Sequence, residues 1–216
     1  MCSMLAMGMP TSDDAGDDRT SYGAGLDSFL RRHVTHSGRA GVVQAFHAVR
    51  RMPYHSGADR SPRTALASGR GACTAKHILL RDLLGRLGER AAVEIVRGDF
   101  ASGIPVVATM EAPLAQRIRQ AQVIDFHCRL VWRPEQDALL LDATWPDSLA
   151  RYGFPVDRDW AGDGHTKPAI ARVVAVSRET DVLTAKQALI DALPSEVALD
   201  RRRFLTLLSD WLKRYG

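Results

Sequence analysis

The chain has 216 residues, of which 45% are hydrophobic and 25% are charged, and its formal net charge is +4. This composition is typical of a folded globular protein with a sizeable core, and it excludes a disordered or fibrous chain. No apolar run approaches the ~20 residues of a membrane helix, and the N-terminal residues lack the pattern of a secretory signal. We therefore expect a cytoplasmic protein with no membrane partner.

The positive charge is carried mainly by arginine, since only four of the 29 basic residues are lysine. The one dense basic run, Arg201–Arg203, falls on a predicted helix with acidic neighbours, and we interpret it as a solvated face. The sequence thus predicts no nucleic-acid partner. Three cysteines, at positions 2, 73 and 128, do not form the pattern of a disulfide framework.

The first 24 residues mix small, acidic and glycine residues without periodicity, which predicts a disordered leader over 1–24 and a single domain over 25–216. The stretch 53–71 is rich in Pro, Gly and Ser and is predicted to be a loop. Periodicity predicts, in chain order, helices over 26–34, 40–52 and 72–87, a strand over 90–98, a short helix over 113–120, strands over 125–132, 137–145 and 169–177, and helices over 181–193 and 195–215. This order favours an α+β fold with an antiparallel hairpin.

The stretch GRGACTAKHILLRDLLGRLG (69–88) places a cysteine at the start of the long apolar helix. On a helical wheel Cys73 shares a face with His77 and three leucines, so it points toward whatever the helix packs against. The first turn of a helix carries unpaired N–H groups and a partial positive charge, which stabilise a thiolate and can hold an oxyanion. Gly69 and Gly71 would let a substrate approach the backbone closely. Cys73 is thus either a buried packing residue or a nucleophile.

A thiolate nucleophile needs a base, and the base needs a group that orients it; the predicted hairpin offers both. Alternation in DFHCRLVW places His127 on the face opposite Phe126 and Cys128, so we expect Cys128 in the core and His127 facing Cys73. Asp142 lies within the apolar stretch LLLDATW, and an aspartate is rarely buried without a partner. Each of these residues alone has an ordinary explanation, whereas together they favour a catalytic triad.

These features resemble those of the transglutaminase-like superfamily, which lies within the papain-like fold. They also resemble those of a set of bacterial proteins of obscure function. The segments RGACTAKHILLRDLLGRLG, DFHCRLVW and LLLDATW carry the resemblance, which covers roughly residues 50–170. It implies a central Cys-bearing helix packed on an antiparallel sheet, with further helices at both ends. It also implies Cys73 as nucleophile, His127 as base and Asp142 as orienting residue, with no cofactor and no metal.

The chemistry that the resemblance implies is acyl transfer. The substrate would be an amide or thioester of a small molecule or peptide, and a thioester intermediate would pass to water or to an amine. The oxyanion tryptophan of animal transglutaminases has no evident counterpart, and Tyr54 is the nearest upstream aromatic residue.

Two alternatives stay open at this point. One is a transglutaminase-like binding module that does not catalyse. The other is a zinc site built from Cys73, His77, His127 and Cys128, although adjacent residues of a strand point to opposite faces and do not easily share an ion. The sequence does not indicate an oligomeric state.

Overall fold

The computed structural model describes residues 12–133 and 137–216, with side chains from residue 20 onward. The helices and strands are, in chain order, α1 (Ser12–His33), α2 (Gly38–Arg50), α3 (Pro62–Ser68), α4 (Cys73–Arg86), β1 (Ala91–Asp99), α5 (Ala112–Gln120), β2 (Ile124–Trp132), β3 (Leu139–Leu141), β4 (Ala171–Arg178), α6 (Val182–Asp191) and α7 (Ser195–Tyr215), with short 3-10 helices at Ala101–Gly103 and Asp147–Tyr152. The predicted α+β class is confirmed. Within the described ranges, no helix is long and apolar enough to cross a membrane.

The four strands form one antiparallel sheet in the order β3-β2-β1-β4. The predicted hairpin is present, but β3 is shorter than the predicted strand over 137–145, and residues 134–136 of its connection lie outside the described residues. β3 pairs only with Leu130–Trp132, at the far end of β2. The half of β2 that carries His127 therefore has an open edge among the described strands.

The sheet separates two apolar clusters. Helix α4 lies in the first cluster and contacts α1, α2, α3, α6, β1 and β2, so it is buried on several sides. The strand residues on this face are Val93, Ile95, Phe126, Cys128, Leu130 and Trp132. The second cluster covers the opposite face with α5 and α7, whose buried residues include Phe204, Leu208 and Trp211. The cysteine-bearing helix thus packs on an antiparallel sheet, with further helices before and after it.

Ordered structure begins before residue 25, because α1 starts at Ser12, inside the predicted leader. Tyr22 donates a hydrogen bond from its hydroxyl to Asp82 Oδ2 of α4 at 2.9 Å. A Cβ at Gly25 would lie 2.9 Å from Leu66 Cδ2, so this glycine allows α1 to approach α3 closely. Tyr22, inside the predicted leader, and Gly25, directly after it, thus both take part in helix packing. Residues 1–11 of the predicted leader lie outside the described residues.

The predicted loop over 53–71 contains helix α3. Ser61 precedes the helix and its Oγ accepts a hydrogen bond from Thr64 N at 3.2 Å, while Pro62 occupies the first helical position. Gly69 ends the helix with a φ of 67°. The residues interpreted as loop formers are in fact the start and stop signals of a short helix.

Replacing Leu80 by alanine should lower the free energy of unfolding by about 3 kcal/mol, because its side chain is 0% exposed in the middle of α4 and its loss leaves a cavity. Chemical denaturation followed by circular dichroism measures the change. The same substitution at Leu199 of α7, which is 41% exposed, should change it by less than about 0.5 kcal/mol. Equal losses at the two positions would contradict the central placement of α4.

Candidate active site

Cys73 is the first residue of α4 and is 7% exposed. Ala72 precedes it in an extended conformation and offers no side-chain hydrogen bond to the helix end. The first intrahelical bond runs from Lys76 N to Ala72 O at 3.0 Å. The N–H groups of Cys73, Thr74 and Ala75 therefore have no acceptor within the helix and point from its end, next to the sulfur.

The two glycines before Cys73 have a structural role. Gly69 adopts the left-handed conformation that ends α3. A Cβ on Gly71 would lie 3.1 Å from Ala65 Cβ and 3.3 Å from Ala75 Cβ, so only glycine lets α3 and α4 pack this closely here. The sequence predicts that Gly69 and Gly71 open the backbone to a substrate. In the structure Gly69 ends α3, and Gly71 allows α3 and α4 to pack closely.

The structure brings His127 and Asp142 together. His127 Nε2 donates to Asp142 Oδ2 at 2.8 Å, and both residues are buried. Asp142 lies just after β3 rather than within a strand, and its own N–H donates to Thr166 Oγ1 at 2.6 Å. The carboxylate also accepts backbone N–H groups from Thr144 at 3.1 Å and Ala169 at 2.8 Å. These bonds fix the carboxylate against the imidazole.

The charges of this pair stabilise each other. Burial alone would raise the pKa of Asp142, but the charge and the hydrogen bond of His127 bring it below its ordinary value. Burial alone would lower the pKa of His127, but the negative charges of Asp142 and Cys73 and its hydrogen bonds to them raise it to about 10. His127 is therefore an imidazolium at neutral pH.

The pKa of the Cys73 thiol is held well below its ordinary value. A hydrogen bond from Cys128, the positive charges of Lys186 and His127, and a hydrogen bond with His127 together lower it more than burial raises it. Because Nε2 of His127 is bonded to Asp142, Nδ1 is the ring nitrogen left for Cys73. The opposite pKa shifts of the two groups favour a thiolate at Cys73 and an imidazolium at His127, whose ring Asp142 orients.

Cys128 is fully buried in the core, as predicted, but it also contacts the site. Its Sγ donates to Thr74 Oγ1 of α4 at 3.6 Å, and hydrogen bonding from Cys128 is the largest influence that lowers the pKa of the Cys73 thiol. Alternation along β2 predicts that only His127 should reach Cys73. Both His127 and Cys128 reach Cys73, because the half of β2 that carries them has an open edge and the start of α4 lies against this edge.

His77 lies one turn after Cys73 and links two backbone segments. Its Nδ1 donates to Cys73 O at 2.8 Å, and its Nε2 accepts from Ala143 N at 2.8 Å, which defines the neutral tautomer. Burial lowers its pKa to about 4. Asp142 Oδ1 is 3.7 Å from Nε2, but that nitrogen is occupied by Ala143 N–H, so we assign no ion pair between them. His77 thus positions the cysteine relative to the segment that carries Asp142.

The zinc alternative does not fit this arrangement. Both ring nitrogens of His77 are used by the backbone, which leaves no lone pair for a metal. Over residues 12–133 and 137–216, no group of three or more His, Cys, Asp and Glu residues is placed to hold a metal ion.

Lys186 of α6 is a site residue that the sequence analysis missed. It is 4% exposed, and its Nζ donates to Thr74 Oγ1 at 2.9 Å, to Cys73 Sγ at 3.5 Å and to Cys128 Sγ at 3.9 Å. A signal for it was present, since the lysine falls on the apolar stripe of its helix. That stripe contains Val182, Leu189, Ile190 and Leu193.

Tyr54 lies beside the start of α4. It forms a parallel bridge with Gly71, in which His55 N donates to Gly71 O at 3.2 Å and Gly71 N donates to Pro53 O at 3.1 Å. Burial, followed by the negative charge of Cys73, raises the pKa of the Tyr54 hydroxyl. The upstream aromatic residue noted in the sequence is thus paired with Gly71, two residues before Cys73, and lies within electrostatic reach of the Cys73 thiol.

A cavity of about 310 Å³ opens next to these residues. Thr74 and Lys186, which both contact the Cys73 sulfur, form part of its wall. Its remaining lining comes from the segment before α3 and from α6, including Arg60, Ser61 and Gln187. The cavity thus reaches two residues that contact the Cys73 sulfur, whereas Cys73 itself is not part of its lining.

The arginine run of α7 is not a uniformly solvated face. Arg201 is buried, and its Nε donates to Asp125 Oδ1 at 2.5 Å, whereas Arg202 and Arg203 are exposed. The ion pair joins α7 to the start of β2, two residues before His127. This arginine is occupied within the fold and contributes nothing to a nucleic-acid surface.

Comparison with known proteins does not identify a family. No protein-family model matches the chain, and no curated protein is similar to it in sequence. What the protein does must therefore be argued from the geometry of these residues and from the motifs that carry them.

The neutral state of His77 makes stability depend on pH. Its pKa is about 4 in the folded protein and 6.5 ordinarily, so the unfolded chain binds the extra proton between these values. The contribution of neutral His77 to the free energy of unfolding is complete above about pH 6.5. As the pH falls toward 4 this contribution is lost, and the free energy of unfolding decreases by up to about 3 kcal/mol. Urea unfolding over this range should show a shallower decline for His77→Gln than for the wild type.

His36→Gln provides the matched control, because it makes the same replacement at a histidine that is exposed rather than buried. Asp142 is present in every variant, so its own protonation cancels in the comparison. An unchanged slope in His77→Gln would show that His77 is not held neutral by the fold.

Proposed function

We propose that the protein is a cysteine-nucleophile acyl-transfer enzyme that acts on an amide or thioester of a small molecule or peptide. Cys73 is the nucleophile, His127 the acid and base, and Asp142 the residue that orients the imidazole. One observation carries the proposal: the buried His127–Asp142 pair, bonded at 2.8 Å, meets a thiol of lowered pKa at the first turn of a helix.

We further propose that the fold is a transglutaminase-like variant of the papain-like fold. Its support is the chain order of the parts: the cysteine opens a buried helix, the histidine lies on an antiparallel strand, and the aspartate follows the next strand. Helices α1 to α3 and α6 to α7 surround this arrangement, and α6 contributes Lys186 to it. A reducing cytoplasmic compartment would suit an enzyme that depends on a thiolate.

The first half of the reaction forms a thioester. The Cys73 thiolate attacks the carbonyl carbon, and the carbonyl oxygen becomes an oxyanion beside the unpaired N–H groups at the start of α4. The His127 imidazolium donates its proton to the leaving amine or thiolate as the carbon–heteroatom bond breaks. The products of this half are the acyl-enzyme, a neutral imidazole and the free leaving group.

The second half regenerates the enzyme. Neutral His127, still bonded through Nε2 to Asp142, accepts a proton from water or from an amine as that group attacks the thioester. The carbon–sulfur bond breaks, the thiolate returns, and the imidazolium forms again. Water gives a peptidase, amidase or deamidase, whereas an amine gives an amide-forming acyltransferase.

Alkylation and acylation of Cys73 test the proposal directly. The rate of iodoacetamide modification, followed by peptide mass, should show an apparent pKa well below ~8.5 in the wild type. His127→Ala should raise this value, and Asp142→Asn should raise it less, because the imidazole keeps its place but loses its counter-charge. Incubation with acyl thioesters of N-acetylcysteamine should add the acyl mass to Cys73.

His127→Ala should retain that acyl group longer than the wild type by a factor of about 10²–10⁴, because deacylation loses its base. Cys73→Ala is the control and should acquire no acyl mass that hydroxylamine removes. Slow alkylation that is indifferent to His127 would contradict the proposal and would leave the catalytically inactive binding module as the better explanation.

A further inference from the structure

Lys186 occupies an unusual position for a lysine. Its ammonium lies at the innermost end of a side chain that is 4% exposed, and it contacts two sulfur atoms and one hydroxyl. An ammonium that leaves water without a counter-charge costs several kcal/mol, and it normally loses its proton instead. Here burial lowers the pKa of Lys186, but the neighbouring thiols of Cys128 and Cys73 and the charge of Asp125 raise it above its ordinary value. The pKa of the Cys128 thiol is itself raised well above its usual range, so Cys73 is the thiol that supplies a negative charge at neutral pH. The ammonium is therefore retained.

The charged groups around Lys186 identify its counter-charge. Asp125 on β2 is already bonded to Arg201 of α7 at 2.5 Å. Arg60, from the segment before α3, adds a second positive charge on this side of the site. The remaining ionisable groups in contact with Nζ are the thiols of Cys73 at 3.5 Å and Cys128 at 3.9 Å. The anion that balances Lys186 is therefore a thiolate.

We infer that Lys186 is a further catalytic residue, whose positive charge holds the Cys73 sulfur in its anionic, attacking form before a substrate arrives. This inference rests on the proposed acyl-transfer function, since it assigns a second cation to the same nucleophile. The residue belongs to α6, outside the segments that carry the family resemblance.

Two other neighbours also act on the Cys73 sulfur. Cys128 donates a hydrogen bond, but a thiol is a weak donor, whereas an ammonium carries a full charge in a site of low dielectric. His127 is an imidazolium, but it must release its proton during the reaction. Tyr54, His77 and Lys76 also lie within electrostatic reach of Cys73. Lys186 is the cation that contacts the sulfur and gives up no proton in the proposed cycle.

The test compares the titration of the Cys73 thiol in four full-length proteins: the wild type, Lys186→Met, Lys186→Arg and Cys128→Ala. The ultraviolet absorbance of the thiolate, after subtraction of the absorbance of the Cys73→Ala protein, reports the ionisation of the thiol without requiring that a reagent reach the sulfur. Iodoacetamide alkylation, followed by peptide mass, assigns this ionisation to Cys73. We expect Lys186→Met to raise the midpoint by about one to two pH units, Lys186→Arg to keep it near the wild-type value, and Cys128→Ala to raise it less. Circular dichroism verifies the fold of each variant.

A second measurement covers the case in which Lys186→Met does not fold. The chain has only four lysines, so the side-chain NMR signals of Lys186 are readily assigned in the intact protein. In Cys73→Ala the pKa of Lys186 should fall, because the ammonium loses its counter-charge. An unchanged lysine titration in this variant would overturn the inference.

The outcomes separate the two proposals. A wild-type Cys73 that ionises at the ordinary value for a thiol would refute the acyl-transfer function and this inference together. A wild-type Cys73 with a lowered pKa that depends on His127 but not on Lys186→Met would overturn the inference and leave the proposed function standing.

Discussion

The burial of charge at the start of α4 is the constraint on which the architecture depends. Cys73, His127, Asp142 and Lys186 all lie in the interior, where a charged side chain is stable only beside an ion of opposite sign. The sheet supplies the histidine, the segment after β3 supplies the carboxylate, and α6 supplies the lysine. The fold therefore gathers elements that are distant in sequence around the start of α4.

Hydrogen bonds from α4 to the backbone hold these elements in register. Lys76 of α4 donates from Nζ to the carbonyl oxygens of Arg50, Met52 and Thr144, at 2.8–3.0 Å, and thereby ties the end of α2 and the segment after Asp142 to the same helix. His77 makes a similar link through both of its ring nitrogens. Because these acceptors belong to the backbone, the position of the triad is set by the path of the chain as well as by side-chain packing.

Much of this arrangement could be predicted, because ionisable residues within apolar periodic segments are conspicuous in a sequence. Cys73, His127 and Asp142, the residues of the proposed triad, were singled out in this way, and so was the helix that carries the cysteine. Helix α3 was missed because Ser61 and Gly69 are both helix caps and common loop residues, and composition alone cannot distinguish the two roles. Lys186 was missed because a lysine on an amphipathic helix is usually solvated, and its burial depends on the partner of α6. The contact of Cys128 depends on where β3 ends, which periodicity does not fix.

The contact between Lys186 and the thiolate has a consequence for the whole catalytic cycle. In the proposed resting state His127 and Lys186 are cations and Cys73 and Asp142 are anions, so these four charges balance one another. Acylation removes the negative charge of the sulfur, and in the same step the imidazole gives its proton to the leaving group. One cation and one anion of the four then remain, and their sum is again zero. The net charge of the four groups is therefore constant through the proposed cycle, whereas Lys186 loses the anion that it contacts for as long as the acyl group stays on Cys73.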